Sequence, residues 1–152
     1  MRALIPLFLF VSVFGCSPQG SDEGKIYTVT GEISPSEMGL TLIHEHILVD
    51  FIGADSTGYH RWDKDSVVQK VLPFLEEIKA RGVKTLVECT PSYLGKDPVL
   101  LQKLTEASGI QFITNTGYYG AVEGKYLPAH ALTESGEQLA KRWVKEFQEG
   151  IV

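Results

Sequence analysis

The chain has 152 residues, 43% of them hydrophobic and 22% charged, with a formal net charge of −5. That balance suits a single globular domain and leaves no room for long disordered tracts. Lys and Arg form no cluster, which excludes the basic patch that nucleic-acid binding requires.

Residues 1–15 carry one positive charge, Arg2, followed by an apolar run from Ala3 to Phe14 that is too short to span a membrane comfortably, the anatomy of an export signal. The sequence Val13-Phe14-Gly15-Cys16 resembles a bacterial lipoprotein cleavage box, in which Cys16 becomes the lipidated first residue of the mature protein. Acyl chains supply about 0.8 kcal/mol per buried CH₂ and can hold a soluble domain on a bilayer. The expectation is an exported protein, anchored through Cys16 to a membrane of the bacterial envelope, with residues 16–25 as lipidated cysteine and flexible tether. A plain secreted protein with an incidental cysteine is the alternative. With Cys16 acylated, Cys89 has no partner for an intramolecular disulfide. It lies in an apolar strand pattern with no activating base beside it, and reads as a small apolar filler rather than a nucleophile.

The folded part begins near Ile26. "KIYTVTGEISPSEMG" reads as a short strand, a turn near Gly31 and a second extended piece ending at Pro35. An apolar run from Leu40 to Val49 is the first core strand. Between Lys64 and Arg81 the apolar residues Val67, Val68, Val71, Leu72, Leu75 and Ile78 recur at helical spacing, with Ser66 and Gln69 spaced as a capping box and Gly82 as a stop. Pro73 inside this segment predicts a kink or a late helix start. Lys84–Thr90 follows as a strand. Asp97 and Pro98 open a second helix that ends at Gly109. Ile110–Thr116 is the next strand, and a third helix starts near Ser135 with Leu139, Ala140, Trp143, Val144 and Phe147 along its apolar side.

Alternating strands and helices of this length call for parallel strands joined by right-handed crossovers, hence an α/β fold. The alternation alone does not separate a barrel from an open, doubly wound sheet. No glycine-rich fingerprint follows the first core strand, so nothing specific favours dinucleotide binding.

The stretch "TLIHEHILVD", residues 41–50, holds two of the four histidines one residue apart. On a strand, His44 and His46 share a face while Glu45 takes the other, where it would meet a neighbouring element. Two imidazoles so placed can converge on one metal ion, and the carboxyl end of a parallel strand is where α/β barrels keep their chemistry. The alternative is a pair of ordinary, satisfied or solvated histidines. Imidazole accepts zinc, manganese, cobalt and iron, so the pattern alone chooses no metal. His60 and His130 fall in loops and read as surface residues.

"GLTLIHEHILVD" resembles the opening signature of the phosphotriesterase family, within the amidohydrolase superfamily. The preceding "YTVTGEISPSEMG" is similar to the family's amino-terminal hairpin. "RGVKTLVECTPSYLGKDPVLLQKLTEASGIQFITNTGYYG" is similar to its second and third βα units, and "LTESGEQLAKRWVKEFQEGI" to the next helix, so the resemblance spans about residues 26–152. It implies a short β-hairpin followed by the first three βα units of a (β/α)₈ barrel. It further implies a binuclear centre of two divalent ions, commonly zinc, whose bridging hydroxide attacks an ester substrate such as a phosphotriester or lactone. His44 and His46 match the two strand-1 ligands of the more buried ion. Tyr119 matches an aromatic position lining the substrate pocket, with plain loop packing as the alternative. Glu88, near the carboxyl end of the second strand, either orients a ligand from behind or is structural, and an acid in an apolar strand needs some partner.

A complete barrel takes about 250 residues. The family's strand-4 bridging ligand, its strand-5 and strand-6 histidines and its strand-8 aspartate would all lie beyond Val152, so no residue certain to act on the substrate is expected here. The preferred reading is the amino-terminal part of a longer enzyme, with a homodimer admitted. The rival classes are a non-catalytic envelope lipoprotein that binds metal or a small ligand, and an interaction protein derived from the same fold.

Overall fold

The computed structural model describes residues 24–151, and the expected export signal, the expected lipidation at Cys16 and most of the expected tether lie outside the described residues. Strand β1 (Ile26–Thr28) pairs antiparallel with β2 (Gly31–Ile33), the expected hairpin, and the Thr28 hydroxyl donates to the Gly31 carbonyl at 2.8 Å. The second extended piece gives way to a single helical turn, α1 (Pro35–Met38), which the sequence reading did not anticipate. Pro35 supplies a helical φ at its first position, and the Ser34 N–H donates to the Glu37 carboxylate at 2.8 Å.

Three parallel strands follow, β3 (Leu40–Glu45), β4 (Val83–Glu88) and β5 (Gln111–Thr114), in the spatial order β3-β4-β5. Helix α2 (Lys64–Ala80) crosses from β3 to β4, and α3 (Pro98–Ser108) from β4 to β5. The helices touch each other, with Lys103 Nζ of α3 2.6 Å from Asp65 of α2. Strands in sequential order with neighbouring crossovers on one face are wound in a single direction. A doubly wound sheet instead reverses its strand order and covers both faces. Leu75 of α2 and Leu100, Leu101 and Leu104 of α3 bury against Val83, Leu86, Ile110 and Phe112. These side chains exclude water from one side of the sheet, at about 25 cal/mol for each Å² of apolar surface removed.

Several local expectations are corrected. Helix α2 is capped by Asp63, which accepts from the Ser66 N–H at 2.8 Å, so the Ser66–Gln69 capping box is not used. The helix starts at Lys64 and runs through Pro73, with no late start. Gln69, whose carbonyl loses its partner to the missing proline N–H, is exposed to water. Strand β4 ends at Glu88 rather than Thr90, and β5 covers only residues 111–114 of the expected 110–116. Cys89 lies one residue past β4 and is only half-buried.

The core run from Leu40 to Val49 holds its strand only as far as Glu45. Strand β3 lies at the sheet edge, so Ile43 remains 76% exposed. Helix α4 (Gly136–Glu149) has the expected Ser135 cap, with Gln138 completing a capping box, but no residue of it is fully buried. Leu139 and Trp143 are half-covered and Phe147 is 66% exposed, its ring meeting Tyr27 edge-on at 5.5 Å. The apolar stripe is where the pattern placed it, and no element among the described residues covers it fully.

Gly95 fixes how the loop after β3 passes over the loop after β4. Its φ is +117°, and a Cβ there would lie 2.8 Å from the Leu48 carbonyl oxygen and 3.0 Å from the Asp50 nitrogen. The Asp50 N–H donates to the Leu94 carbonyl at 2.7 Å, so neither chain has room to give. Gly95→Ala is expected to cost about 1–3 kcal/mol in urea unfolding, the range for backbone strain at a non-glycine residue. A change under half of that would mean the two loops slide freely.

Candidate metal centre at the carboxyl ends of the strands

Strands β3, β4 and β5 all run toward one end of the sheet, so the segments that follow them gather there. His44 lies in β3 and His46 one residue past its end. Between Leu42 and Glu45 the β3–β4 register shifts, and beyond the shift Glu45 stands opposite Glu88. The two imidazoles lie on one side as expected, with ring centroids 5.3 Å apart and planes at 74°, and both are exposed. Glu45 acts through its backbone, its carbonyl accepting the Cys89 N–H at 2.8 Å. Its carboxylate makes no ion pair among the described residues.

Behind His46 lies a buried polar chain. Nδ1 of His46 is 3.0 Å from the Thr90 hydroxyl, and that hydroxyl donates to Oε1 of Glu88. The same carboxylate oxygen accepts the Ile47 N–H at 3.3 Å. Glu88 is 2% exposed, and its Oε2 has no hydrogen-bond partner among the described residues. Burial pushes its carboxyl above the ordinary glutamate range, and the hydrogen bonds from Thr90 and Ile47 only partly oppose that rise. Thr90 is the residue that reading along the chain missed. Its position two residues after Glu88 was visible, but its contact with His46, 44 residues away, arises only from the pairing of β3 with β4.

Tyr119 follows β5 and packs its ring on Tyr126 at 5.7 Å, remaining 41% exposed. His130 departs from the surface reading. It is half-buried, with Nε2 2.8 Å from the Tyr118 hydroxyl and its ring against Tyr93 and Tyr118. His60 is exposed, as expected. Lys96 is buried in the loop after β4 and donates from Nζ to the Asn115 carbonyl at 2.5 Å. Burial holds its ammonium below the ordinary lysine range. Asn115 in turn donates to the Cys89 carbonyl at 2.9 Å, tying the ends of β4 and β5 together behind the site.

The donor set fits a divalent metal in part. Two imidazoles, one of them held from behind, are ligands of the right chemistry. No group of three or more His, Cys, Asp or Glu side chains among the described residues could close a cage by itself. Among the described residues the two imidazoles are therefore short of a complete metal site by themselves.

Parallel strands wound in one direction, with imidazoles gathered where the strands end, define the class: the opening segment of an α/β barrel with its chemistry at the carboxyl face. The profile of the phosphotriesterase family matches residues 24–152, and the chain belongs to that family. It is 29% identical over 113 residues to the phosphotriesterase homology protein of Escherichia coli, covering 74% of this chain and 37% of that protein. It is also 29% identical over 119 residues to an aryldialkylphosphatase of Saccharolobus solfataricus, covering 78% of this chain and 37% of the relative. Among solved structures, a double mutant of an organophosphorus hydrolase from Deinococcus radiodurans superposes with a TM-score of 0.72 at 28% identity, covering 89% of this chain and 41% of the other. The chain therefore spans about two fifths of the length of these relatives, and its fold is the amino-terminal hairpin and first three βα units of a (β/α)₈ barrel.

Proposed function

We propose that the protein is a metal-dependent hydrolase of ester bonds, phosphotriester or lactone, in which His44 and His46 hold one of two divalent ions, zinc in the first instance. The observation that carries this reading is the pair of exposed imidazoles at the end of β3, one of them braced by Thr90 and buried Glu88. Membership of the phosphotriesterase family supports it. Bound divalent ions would acidify a water molecule and polarise the substrate's phosphoryl or carbonyl oxygen. His44 and His46 bind at the floor of the site, Glu88 and Thr90 keep His46 in place, and Tyr119 lines the substrate pocket. The other ligands belong to the parts of the barrel that the relatives have and this chain does not span.

The test uses the protein at its native full length. It is stripped of metal by chelation and assayed on an aryl phosphotriester and on a lactone, before and after zinc is restored. Turnover of at least one substrate should vanish on stripping and return with about two equivalents of zinc. Turnover that survives in protein shown by elemental analysis to be metal-free would defeat the proposal.

A further inference from the structure

The polarity of the chain behind His46 follows from counting hydrogens. The Thr90 hydroxyl has one hydrogen, and it is directed at Oε1 of Glu88. Oε1 also receives the Ile47 N–H, so it is an acceptor of two bonds. With the carboxylate ionised, Oε1 carries no hydrogen and can only accept. Thr90 therefore has only a lone pair left to offer His46, and the atom facing it at 3.0 Å, Nδ1, has to bring the hydrogen.

We propose that Thr90 is a positioning residue that locks His46 in its Nδ1–H tautomer and thereby leaves the Nε2 lone pair free for a metal ion. The inference rests on the metal reading of His46 for its purpose, but not for its geometry. Two hydrogen bonds to one carboxylate oxygen flank the histidine. Thr90 sets which nitrogen carries the hydrogen, and Ile47 pins the backbone immediately after the ring. Thr90 is fully buried, so water does not replace the hydroxyl if it is lost. A ring free to change tautomer would present N–H instead of a lone pair for part of the time, and ring orientation would loosen.

The first measurement is made on metal-free protein of native length, by long-range ¹⁵N–¹H correlation of the His46 imidazole. Hydrogen on Nδ1 is the expected result, and an Nε2–H tautomer overturns the proposal whatever the metal does. The second measurement is zinc affinity. Thr90→Val keeps the shape without the hydroxyl and should weaken zinc by roughly 10–100-fold, the usual cost of losing a partner that orients a ligand. Thr90→Ser restores the hydroxyl and should stay within a few-fold of the parent. Unchanged affinity in a folded Thr90→Val protein refutes the positioning role. Should Thr90→Val not fold, the parent tautomer and Thr90→Ser decide. His46→Ala separates the two levels: if it leaves zinc binding intact, the metal reading of His46 fails, while the tautomer spectrum still judges the Thr90 lock.

Discussion

Replacing His44 or His46 by alanine is expected to lower zinc affinity by about 100-fold or more and to remove ester turnover at micromolar metal, with little change in the stability of the metal-free protein. The magnitude follows from dividing the roughly 10–16 kcal/mol of a closed zinc site among about four ligands. One ligand's share is then about 3 kcal/mol, and each 1.4 kcal/mol is tenfold in affinity. The small effect on stability follows from position. Both rings are exposed and neither belongs to the cluster formed by Leu75, Leu86, Leu104 and Phe112. Exposed substitutions away from special features usually stay within about 0.5 kcal/mol. Glu45→Ala is the control, since Glu45 sits between the two histidines on the strand and points away from them. Zinc titration with elemental analysis reads the result directly. Equal loss in Glu45→Ala would mean that the strand, rather than the imidazole pair, had been damaged, and unchanged binding in both histidine variants would remove the metal site from β3.

The histidine pair was legible because a strand's two-residue period is a local property: His-x-His on an extended segment shares a face whatever else the chain does. Asp97, Pro98 and Gly109 were legible for the same reason, since a cap, a first-turn proline and a left-handed glycine each act within a few residues. What could not be read was set by contacts distant in sequence. Thr90 gains its meaning only when β4 lies beside β3. His130 looked like a loop residue until Tyr118 and Tyr93 closed on it. The cap of α2 went to Asp63 rather than Ser66 because a helix takes the first competent acceptor preceding its apolar face, and two candidates three residues apart give similar patterns. The stripe of α4 was placed correctly but its burial was not, because burial depends on a facing element rather than on spacing. Family resemblance supplied what spacing could not, namely which closed architecture this alternation of strands and helices belongs to, and the single winding direction of β3, β4 and β5 agrees with it.

Asp97→Ala is expected to destabilise the protein by about 3 kcal/mol at neutral pH, the low end of the range for removing one partner of a buried ion pair. Its side chain has no exposure and serves three donors: Lys64 Nζ at 2.5 Å, Trp62 Nε1 at 2.9 Å and the Leu100 N–H at 3.0 Å. Loss of the cap at Leu100 alone costs about 1 kcal/mol. The indole and ammonium left without an acceptor account for the rest, and because Lys64 is a quarter exposed, water recovers part of its share. The carboxylate joins the first turn of α3 to the segment entering α2, so it closes the long connection that begins at His46. Asn is not expected to rescue, because its NH2 group would face a donor in either orientation, the Leu100 N–H in one and Lys64 with Trp62 in the other. The pH dependence has a definite sign. Burial works to raise the Asp97 carboxyl, but the bonds from Lys64, Trp62 and Leu100 prevail and hold it below the ordinary aspartate range. A carboxylate whose folded-state value is depressed contributes stability that is present above the unfolded value and is lost as pH falls through the folded one. Parent and variant should therefore differ most at pH 7 and converge as pH drops below about 4. Urea unfolding at pH 7 and at pH 3 tests both statements. A difference below 1 kcal/mol at pH 7 would rank the Lys64–Asp97 pair with ordinary surface ion pairs, and a difference that grows in acid would reverse the assigned sign.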